Sequence, residues 1–171
     1  TEKSIFVTHP GSSKGTVLVV HGLNLKPSKM NPLAEFAFAQ GYDVYRLTLS
    51  GHDGDLEAFK NVSADKWIQE VVEAQKSIQG PVFLLGYSLG VVAGLADFNN
   101  GLAQFDQLIL IAPPIAMTRT ASLVKNLFGF PGMMLPSKNN VDYRVHAKTP
   151  VSAYIALFDL MDWVKKGPSA A

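Results

Sequence analysis

Apolar and polar positions along the chain alternate between short apolar runs and longer amphipathic stretches. Residues 4–8 (S-I-F-V-T) have the length of a short strand, and the turn-rich segment 9–15 can reverse it. Residues 16–20 are apolar on both faces, the pattern of a central parallel strand. Asn31-Pro32 suits a helix start, with Asn as cap and Pro in the first turn; Leu33, Phe36, Ala37 and Gln40 trace one face and Gly41 ends it. Residues 42–49 read as the next strand. Ser63 caps a predicted helix over 64–79, in which Trp67, Ile68, Val71, Val72, Gln75 and Ile78 follow the 3.6-residue period before Gly80-Pro81 stops it. A buried strand at 82–85, a helix reaching Asn99 and a further buried strand at 105–112 complete the series. This alternation predicts an α/β fold: a mostly parallel sheet with helices on both faces.

After Pro113-Pro114 the pattern changes. Residues 115–130 carry Met117, Leu123, Leu127, Phe128 and Phe130 with few charges, and the apolar character continues through a proline-broken 131–136. Such a stretch suits either an adaptable apolar lining or plain packing on the sheet. A last helix is predicted to reach Lys166, with Lys165-Lys166 placed to favour the helix dipole.

A length of 171 residues fits one domain, which we divide into a core at 1–114 and a cap-like helical segment of the same domain at 115–171. With 15 basic and 14 acidic residues and no basic cluster, nucleic acid is not an expected partner. The absence of cysteine removes disulfides, thiolate metal sites and a Cys nucleophile. No apolar run reaches the roughly 18 residues of a membrane span, so no integral membrane segment is expected, and a cytoplasmic location is the working expectation.

The chemistry concentrates where the apolar run Val82-Phe83-Leu84-Leu85 enters Gly86-Tyr87-Ser88-Leu89-Gly90. G-x-S-x-G between a strand and a helix is a nucleophile elbow: a serine on a strained tight turn requires neighbours two residues away without side chains, and Gly86 and Gly90 meet that need. Upstream, Val17-Leu18-Val19-Val20-His21-Gly22-Leu23 is a strand ending in H-G, and Ser50-Gly51-His52-Asp53-Gly54 is a G-H-x-G loop.

These motifs resemble those of the α/β-hydrolase family, in particular its lysophospholipase, monoacylglycerol-lipase and carboxylesterase-like members. The resemblance implies a serine hydrolase of carboxylic esters, acyl or lipid-like, with Ser88 as nucleophile and the backbone N–H groups of Leu23 and Leu89 as oxyanion hole. It implies no cofactor, and a small-molecule ester as partner. Thioesterase, peptidase and acyltransferase chemistry use the same elbow. The family places its acid and histidine after the nucleophile, in later strands, and no such strand is visible after Lys166. The fold is therefore expected to be incomplete at its C-terminus. The histidine that follows Ser88 is His146, which makes Asp142 and His146 the triad candidates that chain order allows. His21 is read as structural, since it precedes the serine. A metal at His52 and Asp53 is not expected, because adjacent loop residues do not easily face one ion. The alternative reading is a catalytically incomplete hydrolase-fold fragment or interaction module. An unpaired 108–112 strand would then be an apolar edge open to association, as in a homodimer.

Overall fold

A computed structural model of the chain describes residues 2–114, 116 and 132–167. Strands β1 (Ile5–Val7), β2 (Thr16–Val20), β3 (Asp43–Leu47), β4 (Val82–Tyr87) and β5 (Gln107–Ile111) form one sheet in the order β1-β3-β2-β4-β5. β1 runs antiparallel to β3, and every other pairing is parallel. The helices are α1 (Asn31–Ala39), α2 (Leu56–Lys60), α3 (Ala64–Lys76), α4 (Leu89–Asn99) and α5 (Val151–Lys166).

The pleat sends alternate residues of the central strand to opposite faces. Val17 and Val19 pack with Val44, Leu85 and Ala37 of α1. Leu18, Val20 and Leu84 pack with Trp67 and Val71 of α3, Val92 and Ala96 of α4, and Leu160 of α5. Both faces of the sheet thus carry helices, which is why all five residues of β2 are buried. This is the α/β architecture that the sequence pattern predicts.

α3 starts as expected: the Ser63 side chain accepts from the Lys66 N–H, with Asp65 in the first turn and Lys76 in the last. α1 differs. A 3₁₀ turn, Pro27–Met30, runs directly into it, so Asn31 lies inside the helix and makes no cap. Its carboxamide oxygen accepts instead from Arg46 Nη1. The inward face is correspondingly Leu33, Ala34, Ala37 and Phe38, while Phe36 is 66% exposed. The short α2 is a further departure; Asp55 caps it by accepting from the Ala58 N–H at 2.9 Å.

Beyond β5, the Met- and Phe-rich stretch expected at 115–130 lies, apart from residue 116, outside the described residues. Strands β6 (Met134–Pro136) and β7 (Lys148–Pro150) pair antiparallel, a hairpin that the sequence pattern does not disclose. α5 follows directly, burying Ala153, Ala156 and Leu160 in the cluster shared with α3 and α4. No described helix is long and apolar enough to cross a membrane.

Candidate active site

β4 delivers Ser88 to the start of α4 with φ 51° and ψ −108°, a backbone conformation that costs a non-glycine residue about 1–3 kcal/mol. Close contacts hold it there. The Ser88 N–H donates to the Ile111 carbonyl and the Gly90 N–H to the His21 carbonyl, each at 3.0 Å. A Cβ on Gly90 would lie 2.2 Å from the Val20 carbonyl oxygen, and one on Gly86 would lie 2.8 Å from Gly90 C and Val91 N. At Gly22 it would come within 2.9 Å of the Tyr87 ring and 3.4 Å of Ser88 Cβ. The end of β2, the elbow and the first turn of α4 therefore meet backbone to backbone.

Ser88 is half-buried and opens into a cavity of about 320 Å³. Gly22, Leu23, Leu25 and Tyr87 line it on one side, and Lys138, Asn139, Asn140 and Tyr143 on the other. Leu89 is the first residue of α4, where an N–H has no intrahelical carbonyl to reach. Among the described residues, neither the Leu23 N–H nor the Leu89 N–H donates to a backbone carbonyl.

The two histidines of the H-G and G-H-x-G motifs face each other in the interior, ring centroids 4.5 Å apart, and both are fully buried. His21 Nδ1–H donates to the Gly22 carbonyl at 2.9 Å, and its Nε2 accepts from the Leu49 N–H at 3.1 Å. Burial is the main reason its pKa falls to about 4, with the Arg46 charge adding to the fall. His52 has the same tautomer: Nδ1–H donates to the Ser50 carbonyl at 3.2 Å and Nε2 accepts from the Asn24 N–H at 2.9 Å. Burial, then the neighbouring His21, holds its pKa well below the ordinary histidine value. Both rings are thus neutral struts with both nitrogens occupied. Among the described residues, no group of three or more His, Cys, Asp or Glu is arranged to hold a metal ion.

The Ser88, Asp142, His146 arrangement is not formed. His146 stacks on Phe59, centroids 5.2 Å apart at 23°, and its Nε2–H donates to the Gly51 carbonyl at 2.9 Å. Asp142 is exposed, in a turn where its N–H donates to Asn140 Oδ1 and its carbonyl accepts from Lys26 Nζ. Neither residue lines the Ser88 cavity. The segment carrying them is fastened to the H-G loop through other groups, and His146 Nε2–H is engaged by the Gly51 carbonyl.

That fastening centres on Asn24, which is buried and has a left-handed φ of 51°. Its Nδ2 donates to the His146 carbonyl and to Thr149 Oγ1, each at 2.9 Å, and its Oδ1 accepts from the His146 N–H at 2.8 Å. Asn139 Nδ2 donates to the carbonyls of Leu23 at 2.9 Å and Asn24 at 3.0 Å. Sequence reasoning missed Asn24, Lys138, Asn139, Asn140 and Tyr143. Asn at a position of positive φ and the S-K-N-N stretch signal turns, but their contact spans more than a hundred residues of chain.

One titratable group stands apart. Asp97, on α4, is fully buried, and among the described residues neither carboxylate oxygen has a hydrogen-bond partner. Burial pushes its pKa up to about 8.

The sheet, its two layers of helices and the serine elbow define an α/β hydrolase. The profile of the family described as serine aminopeptidase, S33, matches residues 11–170, and the chain belongs to that family. A metagenome-derived lipolytic enzyme superimposes with a TM-score of 0.83 at 21% identity, over 96% of this chain and 70% of its own. The monoacylglycerol lipase of Paleococcus ferrophilus gives 0.77 at 19%, over 96% and 71%. A monoglyceride lipase variant from Saccharomyces cerevisiae gives 0.73 at 12%, over 95% and 64%. No curated protein sequence matches the chain.

Proposed function

We propose that the parent protein is a carboxylic ester hydrolase in which Ser88 attacks the scissile carbonyl while the Leu23 and Leu89 N–H groups take the developing oxyanion. The observation that carries this reading is the elbow itself: a strained, half-buried serine at the mouth of a cavity, with two N–H groups nearby in the chain that donate to no backbone carbonyl among the described residues. Donors held in place before charge develops are the largest single contribution in such chemistry, and loss of one typically costs about a hundred- to a thousandfold in rate. The fold shared with lipolytic enzymes and monoacylglycerol lipases supports acyl or lipid-like esters as the substrate class. In this reading residues 1–114 form the hydrolase core, and 115–171 the cap-like segment of the same domain, its 138–143 stretch covering the cavity.

A second reading is favoured by a specific observation. All four histidines of the sequence are described, and none lines the Ser88 cavity. On this reading the chain as it stands is catalytically incomplete, and base and acid come from elsewhere. Ile109 and Leu110, 48% and 39% exposed on the outer strand β5, support association with another chain through that edge.

Intact mass before and after incubation with a fluorophosphonate separates the two. Labelling of Ser88, abolished by Ser88→Ala, supports an activated nucleophile with a base in reach. Absence of labelling on a folded chain sinks the first reading for this chain and favours the second.

A further inference from the structure

The H-G loop ends in a turn: the Leu25 N–H donates to the Gly22 carbonyl at 3.2 Å, with Leu23 and Asn24 at the corner. A turn whose third residue has φ near 51° demands Gly or Asn there, and Asn24 fills the place. The Gly22 carbonyl also accepts from His21 Nδ1–H at 2.9 Å. That carbonyl and the Leu23 N–H belong to one planar peptide, so anchoring the oxygen leaves the N–H pointing the other way.

The next peptide, Leu23 to Asn24, is held at both ends. Its carbonyl accepts from Asn139 Nδ2 at 2.9 Å, and its N–H donates to His52 Nε2 at 2.9 Å. The same carboxamide reaches the Asn24 carbonyl at 3.0 Å, which also accepts from the Val145 N–H at 3.2 Å. A flip of the Leu23–Asn24 peptide would relieve the left-handed strain at Asn24. It would also turn a carbonyl toward the lone pair of His52 Nε2, whose ring has its proton on Nδ1 facing Ser50. Two opposed side chains, one a donor and one an acceptor, therefore match the two ends of this peptide in a single orientation.

We infer that Asn139 is a positioning residue: with His52 it locks the Leu23–Asn24 peptide and so holds the turn whose preceding peptide, anchored at the Gly22 carbonyl, presents the Leu23 N–H to Ser88. The inference rests on the Ser88 reading above. Asn139 lies on the segment after β6, on the cavity wall across from Leu23, and four further hydrogen bonds join Asn24 to the chain beyond it: to the His146 carbonyl and Thr149 Oγ1, and from the N–H groups of Val145 and His146. The Asn139 carboxamide is thus one of several links between the H-G loop and the covering segment, and the one that reaches the Leu23 carbonyl.

The test uses the full chain with Asn139→Ala, which deletes the carboxamide, and Asn139→Asp, which keeps its size and removes the donor. Amide hydrogen exchange by NMR follows Asn24 and Leu25, with Leu84 and Val92 as core controls of fold; the rate of Ser88 phosphonylation by a fluorophosphonate is measured on the same samples. Loss of a bridging donor at a buried loop is expected to speed Asn24 and Leu25 exchange about ten- to a hundredfold in both variants, with the core amides unchanged. Ser88 labelling slows about tenfold or more. Unchanged exchange at residues 24 and 25 in both variants overturns the inference. So does faster exchange with labelling at the wild-type rate. If wild-type Ser88 is not labelled at all, the nucleophile reading fails by itself, and exchange still decides whether Asn139 holds the turn.

Discussion

Asp97→Asn is expected to raise stability at alkaline pH and leave it nearly unchanged near pH 4. Among the described residues the carboxyl has no hydrogen-bond partner, it has no solvent contact, and its pKa stands at about 8 against an ordinary 3.8. Between those two values the folded state binds one more proton than the unfolded state at this site, so stability falls as pH rises through the window and levels off above 8. Four units at about 1.4 kcal/mol each set a ceiling of about 6 kcal/mol for the whole interval. Two other groups oppose it over part of the range. His21 at about 4 and His52 below its ordinary value are both neutral in the fold, so the unfolded state takes up their protons first as pH drops. Their contributions make stability rise with pH up to about 6.5 and then stay flat. Above pH 6.5 only Asp97 of these three still titrates, and the expected fall from pH 6.5 to 9 is about 2 kcal/mol. Urea unfolding of the wild type and Asp97→Asn at half-unit steps from pH 5 to 9 measures it. The difference between the two proteins should widen by that amount across the alkaline range. A difference that stays constant with pH would show that Asp97 is ionised in the fold, and the argument from its burial would be wrong.

The glycine contacts predict an order of damage. Gly90→Ala places its Cβ 2.2 Å from the Val20 carbonyl, a backbone atom, whereas Gly94→Ala meets the flexible end of Leu84 at the same distance. Gly94→Ala is expected to cost about 1–3 kcal/mol by overpacking and Gly90→Ala distinctly more, as read from thermal unfolding; equal costs would refute the backbone contact. Ser63→Ala removes the cap of α3 and should cost about 0.5–2 kcal/mol in the urea midpoint, with no change in Ser88 labelling.

What the sequence discloses and what it hides follow from the range of the interactions. β2 is legible because four successive apolar residues, Val17 to Val20, fit no other place than the middle of a sheet, and α3 because its cap and its period agree. The elbow is legible because its glycines answer a local steric need. The face of α1 is misread because packing against Val17 and Val44, not the local pattern, decides which way Phe36 and Phe38 turn. α2 is obscured by the turn-forming residues before it, although Asp55 followed by Leu56 and Phe59 carries a start signal. The β6–β7 pair and the Asn24 network depend on contacts between distant segments, and nothing local to Asn139 announces that its partner lies at Leu23.

The two walls of the Ser88 cavity are made of different material. One rests on tight glycine contacts: a methyl group at Gly22 would press on the Tyr87 ring and Ser88 Cβ, and behind that wall Gly86 and Gly90 meet main chain. The other is one short segment, represented by Lys138, Asn139, Asn140 and Tyr143. Random mutagenesis of this region would therefore divide sharply, with nearly every substitution on the first wall eliminated for loss of fold and many on the second recovered as folded variants. On the ester-hydrolase reading, a library confined to Lys138, Asn140 and Tyr143, exchanged as one cassette, tests whether this wall sets substrate preference.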